Sequence, residues 1–234
     1  MGTRTTNNFG EELLQFAGNR KYSTILADPP WRFSNRTGKM APEHRRLSRY
    51  RTMNLQDIME IPVAQLVKEP AHLYLWVPNA LLGQGLEVMS RWGFEYKTNV
   101  VWYKIRKDGG PDRRGVGFYF RNVTELVLFG VRGTHARTLK AGRTQPNILS
   151  TRKREHSRKP DQFYEIIEAC SRQPYLELFS RHARKGWTQW GDEHSQFGIS
   201  PRLVKQPSRD RKSQRAASAN PDDGQEPNLF SRRA

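Results

Sequence analysis

The sequence predicts an α/β fold built on a mostly parallel sheet. Three observations carry that prediction. Short apolar, β-branched and aromatic runs at Ile25 to Ala27, Ala71 to Val77 and Lys97 to Tyr103 read as strands. Between the second and third, Ala80 to Trp92 repeats its apolar residues at helical spacing and stops at Gly93. The first run breaks at Pro29-Pro30, as a buried strand does where it turns into a stiff loop. A β-α-β order of this kind implies parallel strands with right-handed crossovers.

Taken in order, Phe9 to Phe16 predicts a short helix ended by Gly18-Asn19. Arg32 to Arg51 has no periodicity and is strongly basic. Thr52 to Lys68 reads as a helix with Asn54 as its N-cap, interrupted at Pro62. In the helix over Ala80 to Trp92, Leu82, Leu86 and Met89 form the expected buried face. Lys104 to Tyr119 is a loop rich in Gly and Arg, and Glu125 to Val131 is a strand. Arg132 to Lys159 is expected to be a long loop, with nine Lys or Arg against the single Glu155. Ser157 to Gln173 predicts a helix with Pro160 near its start and Phe163, Ile166, Ile167 and Cys170 facing the core. Tyr175 to Phe179 and Trp187 to Gly191 close the series as short strands. The expected organisation is an extension over 1–20, one domain over 21–197 and a disordered basic tail over 198–234.

Forty Lys and Arg against 23 Asp and Glu give a net charge of +17, which favours a polyanionic partner. The segment Pro201–Ala234 supplies only +4 of it, so the basic character belongs to the folded part. Basic loops that follow strands lie where ligands of open α/β sheets collect. Arg45, Arg46, Arg49, Lys107, Arg113, Arg114, Arg143, Arg152, Lys153 and Arg154 are therefore the expected nucleic-acid contacts. The one cysteine, Cys170, excludes an internal disulfide and a Cys-rich zinc site, and the six histidines show no ligand spacing. There is neither a signal-peptide pattern nor an apolar run long enough to span a bilayer, so a cytoplasmic protein is expected.

Asp28-Pro29-Pro30-Trp31, at the end of the first strand, has a specific chemical reading. The exocyclic amine of a base is a poor nucleophile, because its lone pair is delocalised into the ring. The Asp28 carboxylate and the Pro29 carbonyl can each accept one of its two hydrogens, which aims the lone pair outward. Pro30 keeps that carbonyl facing the site, and Trp31 is expected to stack on or wall the base.

With these blocks in place, the chain resembles the family of adenine methyltransferases best known from the catalytic subunit of the eukaryotic mRNA adenosine methyltransferase complex. The likeness runs from Tyr22 to Glu193 and rests on an ordered set. Its blocks are Asp28-Pro29-Pro30-Trp31, Tyr50-Arg51-Thr52-Met53, Leu75-Trp76-Val77, Val101-Trp102-Tyr103-Lys104, Glu155 to Asp161, and Glu177-Leu178-Phe179-Ser180-Arg181. The resemblance implies a Rossmann-like, S-adenosylmethionine-dependent fold in permuted order, with the catalytic loop ahead of the cofactor-binding motifs. It implies that Lys159 holds the cofactor's carboxylate, that Arg181 reaches its ribose, and that Asp28, Asp192 and Glu193 also line the cofactor. It places Tyr50, Trp102 and Glu125 in the base pocket. On the residues alone, Trp102 reads as core, and Glu125 equally as an ion-pair partner. Ser180 stands where the family has Gly, Ala183 where it has a polar residue, and Asp192 and Glu193 where it has amides.

The resulting expectation is methyl transfer from S-adenosylmethionine to the 6-amino group of adenine in DNA, by a homodimer without membrane or metal. An RNA adenosine methyltransferase and a non-catalytic nucleic-acid-binding subunit are the alternatives.

Overall fold

The strand that ends at the double proline lies inside the sheet. The computed structural model describes residues 6–33, 52–112, 119–152, 159–180 and 183–191. In it β1 (Tyr22–Ala27) runs parallel to both neighbours, β2 (Val67–Val77) and β6 (Tyr175–Leu178). Every β1 residue except Ser23 is buried, as a strand covered on both faces requires. The other strands are β3 (Glu95–Ile105), β4 (Thr124–Arg132), β5 (Ile148–Arg152) and β7 (Trp187–Trp190). The seven stand in the order β5-β3-β4-β2-β1-β6-β7. Only β4 opposes its neighbours, pairing antiparallel with β2 and β3. β3 with β5 and β6 with β7 are parallel.

One face of the sheet carries α1 (Thr6–Ala17), α2 (Leu55–Met59) and α3 (Leu82–Arg91). Their core side chains Leu13, Ala17, Ile58, Val88 and Met89 cluster with Ile25, Leu73 and Leu75. The segment expected to be an N-terminal extension is thus packed into the core, because Phe9, Leu13, Phe16 and Ala17 place an apolar stripe on α1. α4 (Asp161–Cys170) covers the other face and buries Phe163, Ile166, Ile167 and Cys170, the four residues that the periodicity selects. Pro160 is its N-cap rather than its first turn.

Asn54 caps α2 as expected, its Oδ1 accepting from the Asp57 amide at 2.8 Å. The helix is shorter than the sequence suggests. Past Pro62 the chain makes one 3₁₀ turn, Val63–Gln65, and then enters β2 at Val67 rather than at Ala71.

α3 is rotated from the expected face. Leu82 and Leu86 are 39% and 36% exposed, while Gly85, Val88 and Met89 face the sheet. The cause is close approach: a Cβ at position 85 would lie 2.6 and 2.8 Å from the Val77 methyls. Gly85→Ala therefore sets a helix-propensity gain of about 1 kcal/mol against overpacking of about 1–3 kcal/mol. A lower thermal midpoint is expected; a higher one would show that α3 can lift off β2 at no cost.

The antiparallel course of β4 has a further consequence. β4 ends at Arg132 opposite Ala71, at the edge away from the double proline. The basic loop that follows it starts at that far edge, not beside the carboxyl ends of the parallel strands. A buried relay closes this edge. Nε2 of His72 faces the Ala136 carbonyl at 2.8 Å and must carry the ring proton. Nδ1 then accepts from Ser171 Oγ at 2.7 Å, and Ser171 Oγ accepts from the Tyr74 hydroxyl at 2.7 Å. Burial pushes the His72 imidazole below its ordinary range, consistent with a neutral ring.

Candidate active site

β1, β2, β3, β6 and β7 all end at one edge of the sheet, and β4 begins there. Ala27 pairs with Leu178, and Leu178 with Trp190, so Asp28, Phe179 and Gly191 emerge side by side. The Asp-Pro-Pro-Trp loop is fixed there by main-chain atoms. The Trp31 amide donates to the Pro29 carbonyl at 2.8 Å, and the Met53 amide to the Pro30 carbonyl at 2.9 Å. The Trp31 indole N–H donates to the Trp76 carbonyl at 2.9 Å.

Two expectations for this loop change. Trp31 is only 6% exposed and packs with the core of the α1 face. Its ring anchors the loop from below, among the apolar side chains of that face. The Pro29 carbonyl already accepts the Trp31 amide, which leaves one of its two lone pairs for a substrate.

Beside the loop, four charged side chains alternate in sign. Lys159 Nζ, just ahead of α4, lies 3.2 Å from Asp28 Oδ2 and 3.0 Å from Glu125 Oε2. Lys104 Nζ, near the end of β3, lies 2.5 Å from Glu125 Oε1 at the start of β4. The side chain of Lys159 is 17% exposed, and its ammonium sits 4.3 Å from the centroid of the Trp76 ring. Burial alone would raise the Glu125 carboxyl, but the Lys159 and Lys104 ammonium groups outweigh it and hold that carboxyl down to about 2. Burial alone would lower Lys159, but Asp28 and Glu125 outweigh it and keep its ammonium above the ordinary range. Of the two readings of Glu125, the ion-pair partner is the one the geometry displays. Trp102 is 3% exposed, edge-on to Trp76 at 5.9 Å, with its indole N–H donated to Thr151 Oγ1 at 2.8 Å. Its side chain is part of the core on the α4 face.

Sequence reasoning gave no role to Glu177. Oε1 of this residue accepts from the Tyr164 hydroxyl at 2.8 Å, and Oε2 from Gln189 Nε2 at 2.7 Å. Burial is the main cause that pushes its carboxyl up, and the nearby Asp28 charge adds to it. A signal was present: Glu177 is the one charged residue between Leu176 and Leu178 in a buried strand. Lys104 carried no such signal, since its partner is 21 residues away in sequence.

Ser180 stands where the resemblance implies a glycine, and close backbone approach is made there from the other side. A Cβ at Gly191 would lie 2.4 Å from the Ser180 carbonyl oxygen, and the Ser180 amide donates to the Trp190 carbonyl at 3.1 Å.

The nucleic-acid contacts expected from sequence divide. Arg152, paired with the last β3 residue Ile105, donates to the Lys107 carbonyl at 3.3 Å, and both lie exposed at the edge where β1 ends. Arg143 is exposed at the opposite edge, because the chain leaves β4 there; the Leu139 amide donates to the Cys170 carbonyl, at the end of α4, at 2.9 Å, and Arg143 donates to the Thr138 carbonyl at 3.3 Å. β5, within the stretch expected to be a loop, carries the chain back. Tyr50, Arg45, Arg46, Arg49, Arg113, Arg114, Lys153, Arg154, Arg181, Asp192 and Glu193 lie outside the described residues. Among the described residues, no group of three His, Cys, Asp or Glu could hold a metal, and no helix is long and apolar enough to cross a membrane.

Comparison with known proteins bears on this arrangement. The family model MT-A70 matches residues 22–193. The chain is 26% identical over 196 residues to the type II methyltransferase M.MunI of Mycoplasma sp, covering 74% of this chain and 78% of that one. It is 28% identical to the N6-methyladenosine RNA methyltransferase MTA1 of Cryphonectria parasitica, covering 75% of this chain and 52% of that one. It is 27% identical to the N(6)-adenosine-methyltransferase catalytic subunit METTL3 of Homo sapiens, covering 74% of this chain and 28% of that one.

Proposed function

The chain belongs to the MT-A70 methyltransferase family, and from that premise we propose that it methylates the 6-amino group of adenine in DNA, using S-adenosylmethionine. The observation that carries this reading is Asp28. Its carboxylate stands at the sheet edge on a loop pinned by three hydrogen bonds to main-chain carbonyls, within 3.2 Å of Lys159.

The donor set fits the amino-acid end of S-adenosylmethionine. Lys159 offers an ammonium to a carboxylate, and Glu177 and Asp28 offer carboxylates to an ammonium. When bound, the cofactor supplies an electrophilic methyl group. The chain's own contribution is to hold the amine. Asp28 and the remaining lone pair of the Pro29 carbonyl accept its two hydrogens, which concentrates the nitrogen's lone pair on the side away from them. Asp28 is also the base within reach of the proton that the nitrogen sheds. The Lys104–Glu125–Lys159 chain keeps the ammonium of Lys159 in place beside Asp28. A base in duplex DNA has to leave the stack to reach such an edge.

DNA is favoured over RNA by the extent of the matches. The alignment with the type II methyltransferase runs over 78% of that protein, whereas those with MTA1 and METTL3 leave 48% and 72% of those chains unmatched. Labelled S-adenosylmethionine offered with duplex DNA, single-stranded DNA and RNA tests the reading. Label in DNA adenine is the expected result. Label in RNA alone would keep the chemistry and replace the substrate, and nucleic-acid binding without label would point to a binding subunit.

A further inference from the structure

A phenylalanine with left-handed backbone stands at the catalytic edge. Phe179, the residue after β6, has φ 62°, a conformation uncommon for a bulky side chain. An aromatic ring from α1 packs against it. The ring of Phe9, on α1, lies flat on the Phe179 ring, with centroids 5.5 Å apart and planes 9° from parallel. Phe9 also meets Trp190 edge-on at 6.2 Å, and Phe16, two turns along α1, meets Trp190 at 4.8 Å. Trp190 in turn accepts the Ser180 amide. α1 is seated from its other flank as well: Leu13 and Ala17 are buried, and a Cβ on Gly10 would lie 3.1 Å from Pro62.

We infer that Phe9 is a positioning residue: by stacking on Phe179 it holds the turn over Leu178 to Ser180, beside Asp28 and directly after the Glu177 carboxylate proposed to meet the cofactor, in the shape that cofactor binding needs. The inference rests on the proposed function for its cofactor, but its geometry is independent of it. Phe9 acts through Phe179 and not by touching a ligand. Without the stack the turn is free to relax toward ordinary φ. The carbonyl and amide of Ser180, wedged against Gly191, would move with it.

The test compares the full chain with Phe9→Ala, Phe9→Tyr and Leu14→Ala, the last of which weakens α1 packing away from the stack. S-adenosylmethionine affinity is measured by calorimetry, and hydrogen exchange at the Ser180 amide is measured without cofactor. For Phe9→Ala, an increase in Kd and in exchange rate of about tenfold each is expected, on the scale of one lost aromatic pair. Turnover at saturating cofactor should stay within about twofold of the unmodified chain, as expected when only the free enzyme's turn is loosened. Phe9→Tyr should behave as the unmodified chain, and Leu14→Ala should lower the thermal midpoint without moving Kd. Unchanged affinity in Phe9→Ala, or an equal loss in Leu14→Ala, overturns the inference. If the unmodified chain takes up no cofactor, the proposed function fails and the cofactor half of this inference with it. Exchange at Ser180 then decides the clamp alone.

Discussion

Replacing Asp28 by Asn is expected to leave a folded protein that transfers methyl groups about 10³-fold more slowly, a loss of about 4 kcal/mol in transition-state stabilisation. Asn matches the shape of Asp, and the loop's hydrogen bonds to Trp76, Pro29 and Pro30 involve no atom of residue 28. What disappears is the negative charge. The amide accepts through one oxygen and presents an N–H₂ where the amine's hydrogens need an acceptor. The side chain also ceases to be a base. Lys159 keeps Glu125 as a partner, so the thermal midpoint should fall only slightly. Single-turnover rates at saturating cofactor and DNA, read beside thermal unfolding, separate the two effects. A variant with more than a tenth of the original rate would remove Asp28 from the chemistry.

Lys159→Met should weaken S-adenosylmethionine binding by roughly 10- to 100-fold, the equivalent of one charge-assisted hydrogen bond of about 1.5–3 kcal/mol. Methionine fills the space over Trp76 without a charge. The same substitution has a signature in acid that needs no ligand. The folded Glu125 carboxyl lies at about 2, below its ordinary 4.5. Its contribution to stability is therefore complete above pH 4.5 and is lost as pH falls toward 2. Taking away Lys159 lets burial raise that carboxyl, so the variant's contribution is smaller to begin with. Its deficit against the unmodified chain should be largest above pH 4.5 and shrink below it. Thermal midpoints across that range check the sign. A deficit that grows with acid would mean that Glu125 does not depend on Lys159, and cofactor affinity within twofold of the original would sink the binding role.

What could be read in the sequence was local. Asn54 with the Asp57 amide, the apolar face of α4 and the break at Pro29-Pro30 each depend on residues a few positions apart, and each stands in the fold as expected. The direction of β4 was not local. A strand looks the same read toward either edge, and only its pairing with β2 and β3 decides which end of the sheet receives the basic loop after it. α3 misled for a related reason. Three leucine and methionine positions suggested one face, but the space beside Val77 admits only a glycine, and that turned the helix. β5 alternates exposed and half-buried residues over only five positions, inside a basic stretch read as a loop, and that conceals an edge strand. The site was legible in the same proportion. Asp28 announced itself through its prolines, whereas the Glu125 contacts join residues 21 and 34 positions apart and leave no periodic trace.

The anchoring of Trp31 bears on how such a protein can change over generations. Its indole N–H is donated to the carbonyl of residue 76, and the other ties of the loop, from Met53 to Pro30 and from Trp31 to Pro29, also end on main-chain oxygens. A main-chain acceptor is indifferent to the side chain that position carries. The Trp76 ring is itself held in the core under Lys159, but mutations at 53 can change the side chain beside the loop while the Asp28 carboxylate stays where it is. Variation beside the loop is in this way uncoupled from the retention of the chemistry.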